Sequence, residues 1–312
     1  MPAVIDFHVH IVPDKMSELM PEIAKGPLAA LRTRTRSWMR PFTASIHRLQ
    51  TFVRIFPEPI RKPLDQLTAF AILPGALVEA TPEDLISIMN DSEINYSVVI
   101  AHPPAISNEF VMKTCAASPR LLPIVNVPSG TSKPGDALRE FVARGARGLK
   151  IHPASDGEGV DSPRYAALLK VASELELPVI IHTGCLQSHL LFKDPHQGEA
   201  QRFVPWFKAY PRTRFILAHM NFHEPNIALD LAEEYENVYV DTSWQPTETI
   251  GEAVRRLGSE RVLFATDWPF VGNNQRVGIA RIYECVEMGM MTAHDAENIL
   301  GGNAARILGI AE

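Results

Sequence analysis

Two histidines one residue apart, His8 and His10, close the first apolar run of the chain, Val4-Ile5-Asp6-Phe7-His8-Val9-His10. Strand alternation turns both rings to the same side. Four more apolar runs end the same way. Gly148-Leu149-Lys150-Ile151-His152-Pro153 carries Lys150 and His152 on one face. Pro178-Val179-Ile180-Ile181-His182 ends in His182, and Arg214-Phe215-Ile216-Leu217-Ala218-His219 in His219. Arg261-Val262-Leu263-Phe264-Ala265-Thr266-Asp267 ends in a carboxylate. A weaker sixth case, Tyr96 to His102, offers a pocket-lining ring or a plain turn residue.

A carboxylate at the end of an apolar strand needs a charge partner, because burying it alone is expensive. Two imidazoles from one strand, His8 and His10, a third from another, His182, and Asp267 opposite form a set that suits one divalent metal. A cation with an open position lowers the pKa of its water and supplies hydroxide as a nucleophile. His219 is a ligand of a second metal or a proton carrier that polarises a carbonyl. The simpler reading makes His219 a rim histidine and His182 a satisfied core residue. Lys150 pairs with Asp267, binds a substrate carboxylate, or carries a carbamate that bridges two metals. His152 is read as a supporting group or, with Lys150 and His219, as part of a second metal or substrate site, and Asp6 as a brace for the first strand. Asn221 and His223, with Glu224, follow His219 in a loop that can touch substrate. Trp244, Trp268 and Phe270 are read as rim packing.

Such residues need strands to aim them. Apolar runs begin near Val4, Tyr96, Leu121, Gly148, Pro178, Arg214, Val238 and Val262, and from the second onward they recur every 24 to 36 residues. That interval fits a strand, a crossover helix and two turns. The runs are apolar throughout, as in strands covered on both faces. Thr81-Pro82-Glu83-Asp84 and Ser162-Pro163 are helix starts, with a capping hydroxyl and proline at the first helical position. A third helix is expected from Asp136 to Ala143, and two short ones from Ala293 to Leu308, broken at Gly301-Gly302. Eight strands in this rhythm predict a closed (β/α)8 TIM barrel, one domain over residues 1–312. An open doubly wound sheet would not spread ligands over strands one, four, five, six and eight.

The first connection is long, about 13–80, and is read as a helical cap inserted after strand 1. From Lys25 to Lys62 it holds nine Lys or Arg and a single acid, Glu58. Phe42, Ile46, Leu49, Val53 and Phe56 trace one apolar helix face, ended at Pro57-Glu58-Pro59. Arg48 is the anion binder expected from this segment, chosen among Arg32, Arg34, Arg36, Arg40, His47 and Arg54 without a decisive signal. The apolar face docks on the barrel wall or on a second copy, so a homodimer is expected. A membrane-surface role for the basic helix is the competing use.

The chain of 312 residues carries a net charge of −6, which gives no electrostatic case for nucleic acid. Three cysteines, Cys115, Cys185 and Cys285, lack metal-type pairing and suit a reducing compartment. No secretory leader and no apolar stretch of about 18 residues is visible, so a cytoplasmic protein without a membrane span is expected.

Together these motifs resemble the amidohydrolase superfamily, in its amidohydrolase-related branch of hydrolases and decarboxylases. The resemblance rests on Asp6-Phe7-His8-Val9-His10, Gly148 to Pro153, Val179 to Gly184, Ile216 to Met220, Leu263 to Pro269 and Glu297 to Leu308. It implies that His8, His10, His182 and Asp267 hold one divalent ion, zinc first and manganese second. It also implies that His219 handles the proton and that Asp267 doubles as a base. Lys150 falls where binuclear members place a carbamylated lysine, so a two-metal site stays open. The expected activity is a hydrolase that attacks an ester, lactone or amide carbonyl of a small, anionic substrate with metal-bound hydroxide. The alternative is a non-oxidative decarboxylase of a small carboxylic acid. A barrel that binds ligands without turnover is the rival from another class.

Overall fold

Eight parallel strands follow one another around a single axis in the computed structural model, which describes residues 3–12, 56–57, 59–61, 63–64, 81–184, 192–269 and 275–310. They are β1 (Ile5–Val9), β2 (Tyr96–Ile100), β3 (Leu121–Ile124), β4 (Leu149–Ile151), β5 (Val179–His182), β6 (Phe215–Ala218), β7 (Val238–Asp241) and β8 (Val262–Leu263). Each starts within one residue of its expected position. The ladder runs in two arcs, β1-β2-β3 and β4-β5-β6-β7-β8. Backbone bonds close both seams. Lys150 N donates to Val125 O at 2.8 Å, Asp267 N to His8 O at 2.8 Å and His10 N to Trp268 O at 2.7 Å. The fold is a (β/α)8 barrel.

The crossover helices are α1 (Pro82–Asp91), α2 (Asn108–Ala116), α3 (Pro134–Ala143), α4 (Pro163–Glu174), α5 (Val204–Ala209), α6 (Pro225–Glu234), α7 (Thr247–Leu257) and α8 (Gln275–Glu287). Thr81 opens α1 with a capping box to Asp84, and the Ser162 hydroxyl accepts from the Arg164 amide to open α4. α3 starts at Pro134, two residues ahead of the expected Asp136, because proline suits the first helical turn.

Strand alternation sorts the core into two layers. Val179, Ile181, Phe215, Leu217, Val238, Val240, Val262 and Phe264 pack outward against helix residues such as Leu168, Leu229 and Ile250. Ile180, Ile216, Ala218, Leu263 and Ala265 fill the barrel axis with Ile5 and Phe7. Phe7 is fully buried there, so Phe7→Ala would cost about 3–5 kcal/mol. Inward parity then carries Lys150, His152, His182, Asp241 and Asp267 to one end of the barrel.

Strand β1 breaks this parity. Ile5 and Phe7 face the axis, yet Val9 and Ile11 join the outer layer. The pairing of β1 with β2 shifts between Asp6 and Val9, and that irregularity turns His8 and His10 inward. Strict alternation from Ile5 would have aimed both rings at the helices.

The other end is plugged by the C-terminal segment, whose Ala304, Ala305, Ile307 and Leu308 join the axial cluster. Two helices broken at Gly301-Gly302 were expected there. The structure instead runs on from Ala293–Glu297 through a π-helical turn, Asn298–Gly302, into Asn303–Leu308. The glycines serve close approach, since a Cβ on Gly301 would lie 1.7 Å from the Ala3 carbonyl oxygen. Most of the 13–80 insertion, including Arg48, the helix from Phe42 and the homodimer reading built on it, lies outside the described residues. The described part after Pro57 opens a helical turn, with Ile60 N and Arg61 N bonded to Pro57 O at 3.0 Å.

Candidate metal centre

Six imidazoles form a closed circuit at the carboxyl ends of the strands. Ring centroids are 5.2 Å apart for His8–His10, 6.4 Å for His10–His102 and 4.8 Å for His102–His152. They are 3.8 Å apart for His152–His182, 4.7 Å for His182–His219 and 5.0 Å for His219–His8. Lys150 lies inside the circuit, buried, with Nζ 3.4 Å from His8 Nε2. His102 thus belongs to the circuit and is more than a turn residue.

The hydrogen bonds behind two rings decide what they present. His10 Nδ1 lies 2.9 Å from the Ile100 carbonyl oxygen, which can only accept, so the ring proton sits on Nδ1. His8 Nδ1 lies 3.0 Å from Asp241 Oδ2 and donates in the same way. Both Nε2 atoms therefore carry lone pairs. They face the same oxygen, Asp267 Oδ1, at 3.4 Å from His8 and 3.3 Å from His10. The other carboxylate oxygen, Oδ2, is held by the Trp244 indole N–H at 2.6 Å, while Oδ1 is buried and accepts no hydrogen bond. Three lone-pair donors converge with no proton between them, which is the environment of a bound cation. His8, His10 and Asp267 indeed bring one ligand atom each within 4.8 Å of one another.

The electrostatics agree. Burial drives His8 well below its ordinary pKa, reinforced by the Lys150 charge, and burial drives His152 and His182 down as well. For Asp267, burial pushes upward but is outweighed by the His219, His8 and His10 rings, so its carboxyl stays below the usual range. Burial pushes the His8 and His219 rings themselves towards neutrality. The positive charge this carboxylate demands is one that a divalent ion would supply.

A second triplet, His8, His219 and Asp241, is equally compact. Its carboxylate is already saturated. Asp241 Oδ2 takes the His8 proton, and Oδ1 accepts from the His219 amide at 2.9 Å, the Ser243 amide at 3.1 Å and the Ser243 hydroxyl. Asp241 thus has both oxygens engaged and braces the ring of His8.

Other expected site residues separate into two groups. His182 stands outside both triplets, with its Nδ1 3.2 Å from His219 Nε2 and its face stacked on His152. Phe192 flanks that stack, 5.5 Å from His152 and 5.7 Å from His182. His152 also caps the short turn Pro153–Asp156 by accepting from the Ser155 amide. Asn221, expected to touch substrate, has both ends of its amide engaged within the protein. Its Oδ1 accepts from Ala200 N at 3.1 Å and its Nδ2 donates to Glu224 O at 3.2 Å, so the side chain braces loops. His223 is partly buried and rests 4.4 Å from the Phe222 ring. Asp6 accepts from Thr266 N, Thr266 Oγ1, Gln275 Nε2 and His8 N, as a brace would, and burial pushes its carboxyl up to about 7.

Asp241 and Ser243 were missed. Asp241 ends the run Val238-Tyr239-Val240-Asp241 by the same rule that exposed Asp267, so its signal was present. Trp244 does more than pack, since its indole N–H holds Asp267.

Left-handed backbone concentrates here. His219, Met220, Asn221 and Phe222 have φ of 62°, 45°, 58° and 49°, Trp244 has 64° and Asp267 has 57°. Each costs about 1–2 kcal/mol for a residue with a Cβ. The turn is held by Gln245 Nε2, which donates to the His219 and Phe222 carbonyls, and by Thr183 Oγ1, which accepts from Asn221 N at 3.0 Å. The payoff is direction: His219 would face outward by strand parity and is turned into the circuit.

The sequence profile of the family described as "Amidohydrolase" matches residues 5–310. The chain belongs to this amidohydrolase family. Among curated relatives, gamma-resorcylate decarboxylase of Rhizobium radiobacter is 23% identical over 211 residues, 53% of this chain and 64% of that protein. The enzyme of the same name from Rhodococcus jostii (strain RHA1) is 24% identical over 218 residues, 54% of this chain and 66% of that protein. The matches thus span just under two thirds of these relatives' lengths. Among solved structures, dihydroxybenzoic acid decarboxylase from Polaromonas sp. JS666, with bound manganese and the inhibitor 2-nitroresorcinol, superposes with a TM-score of 0.65 at 17% identity. It covers 99% of this chain and 98% of the other, and shows the shared barrel fold.

Proposed function

We propose that this amidohydrolase is a metal-dependent, non-oxidative decarboxylase of a small aromatic carboxylic acid. The carrying observation is Asp267 Oδ1, buried without a donor and facing the Nε2 lone pairs of His8 and His10. His182 completes the set of ligands in this reading. A divalent ion held there supplies fixed positive charge that orients a substrate carboxylate and a neighbouring oxygen. The decarboxylase relatives support this reaction over the hydrolysis set out above, which uses the same residues. Manganese, present in the Polaromonas structure, is preferred over the zinc first expected.

The chain's own residues supply the rest. The His152–His182 stack and Phe192 offer aromatic surface against which a planar ring can lie. The buried Lys150 provides a cation for the substrate anion, which makes it a binding group and leaves the carbamate as the second choice. In the reaction the bond from ring carbon to carboxylate breaks, its electron pair stays on the carbon, and the carbon takes a proton as carbon dioxide leaves. His219 and Asp267 handle that proton, with His219 linked by hydrogen bonds to His182 and Ser243.

The basic 13–80 segment is kept as a cap over the mouth, supported by its charge. Among the described residues no helix is long and apolar enough to cross a membrane. A reducing, cytoplasmic setting is supported by the free, buried thiols Cys115 and Cys285.

The test is gamma-resorcylate carrying a labelled carboxyl carbon, incubated with manganese-loaded protein in oxygen-18 water. The reading expects labelled carbon dioxide and no oxygen-18 in the aromatic product. Retention of all the label in unchanged acid, while the same manganese-loaded protein cleaves a phenyl ester with oxygen-18 entering the released carboxylate, overturns it in favour of hydrolysis.

A further inference from the structure

One buried carboxylate in the mouth has both oxygens engaged and touches two arms of the imidazole circuit. Asp241 Oδ2 accepts from His8 Nδ1 at 3.0 Å. Its Oδ1 accepts the Ser243 hydroxyl proton. Having spent that proton, Ser243 Oγ can only accept from His219 Nδ1, 2.7 Å away. His219 therefore carries its proton on Nδ1 and offers Nε2 as an acceptor. The 3.2 Å contact between His219 Nε2 and His182 Nδ1 then requires His182 to be the donor. The chain of donation runs His182, His219, Ser243, Asp241, and a separate bond runs from His8 to the same carboxylate.

We propose that Asp241 is a positioning residue which, with Ser243, sets the tautomers of three imidazoles on three strands. His8 is set directly, His219 and His182 through the hydroxyl. The result is that His8 and His182 both present Nε2 as a lone pair. The direction of the chain matters. If the Ser243 hydroxyl donated to His219 instead, His219 Nε2 would donate to His182, and His182 would carry its proton on Nε2 and be lost as a ligand. An Asp241 carboxylate whose two oxygens both already accept, from His8 Nδ1 on one side and from the His219 amide, the Ser243 amide and the Ser243 hydroxyl on the other, permits the first direction alone. The left-handed backbone at His219, which brings the residue's own amide to Asp241 Oδ1 at 2.9 Å, fixes the relay's length. The inference rests on the reading of the mouth as a metal centre, though not on which reaction occurs there.

The test uses full-length, metal-free protein labelled with nitrogen-15 in histidine. Long-range proton–nitrogen correlation spectra distinguish the protonated ring nitrogen from the bare one, and single His→Gln variants assign the rings. Wild type is expected to show protonated Nδ1 on His8, His182 and His219. Ser243→Ala is expected to scramble His182 and His219 and leave His8 unchanged, whereas Ser243→Thr, which keeps the hydroxyl, restores all three. Asp241→Asn is expected to disturb all three and to weaken binding of Mn2+ alone by about 10–100-fold. A wild-type His182 protonated on Nε2, or Ser243→Ala spectra with His182 and His219 unaltered, overturns the proposal. Tautomers set as described in a wild type that binds no Mn2+ would uphold the relay and overturn the metal centre.

Discussion

Acid should unfold the metal-free protein steeply, and the slope can be worked from the buried groups. His8, His102, His152, His182 and His219 all have pKa values lowered in the fold, each by burial first. Below about pH 6.5 the unfolded chain takes up these protons and the native barrel does not, so stability is lost as pH falls. One carboxyl opposes this. Burial raises Asp6 to about 7, so the native state keeps a proton that the unfolded chain sheds above about pH 4. The four rings held furthest down, His8, His102, His152 and His182, set against Asp6 leave three protons in excess on the unfolded side. At about 1.4 kcal/mol per proton and pH unit, the slope is about 4 kcal/mol per unit between pH 4 and 6. A domain with about 5–15 kcal/mol of stability is then exhausted within a few units. Urea denaturation of chelated protein at half-unit pH steps reads the slope directly. A slope near zero, or stability that rises on acidification, would refute the picture of neutral rings packed inside the barrel.

Three substitutions test the local geometry. Asp267→Asn keeps an acceptor for Trp244 and gains a donor for His8 or His10, so the metal-free variant should match or exceed metal-free wild type by about 1–3 kcal/mol. Thermal melts should show that manganese at a hundredfold excess over its dissociation constant adds about 2.7 kcal/mol to wild type and nothing to this variant; a destabilised variant still rescued by manganese would contradict the assignment. Trp244→Phe removes the donor to Asp267 Oδ2 and should cost about 1.5–3 kcal/mol together with weaker manganese binding by calorimetry. Gly184→Ala would place a Cβ 2.1 Å from the Asn221 carbonyl group at a φ of +64° and should cost more than Gly145→Ala, whose φ is +107° but whose Cβ meets nothing within 4 Å. Equal melting temperatures for the two would mean that the 219–222 turn is not packed as described.

The barrel was legible because each strand leaves the same trace, an apolar run closed by a polar residue, and because parity carries that residue to one end. Lys150, His152, His182 and Asp267 follow that rule without exception. His8 and His10 were placed correctly for an incomplete reason, since a shift within β1 has to restore their parity. His219 needed a left-handed turn that no propensity announces, stabilised by Gln245 from another loop. Asp241 obeyed the rule but was passed over beside more conspicuous histidines. Trp244 was read as packing alone because the role of an indole N–H depends on what lies across the barrel, and spacing along one strand does not encode it.

The direct test of the central claim is the metal content of native protein, by elemental mass spectrometry and Mn2+ titration. One divalent ion per chain, lost in His8→Ala, His10→Ala and Asp267→Ala alike, is the predicted result. An ion bound with unchanged affinity in all three variants, or no divalent ion in wild type even at millimolar manganese, would contradict the account.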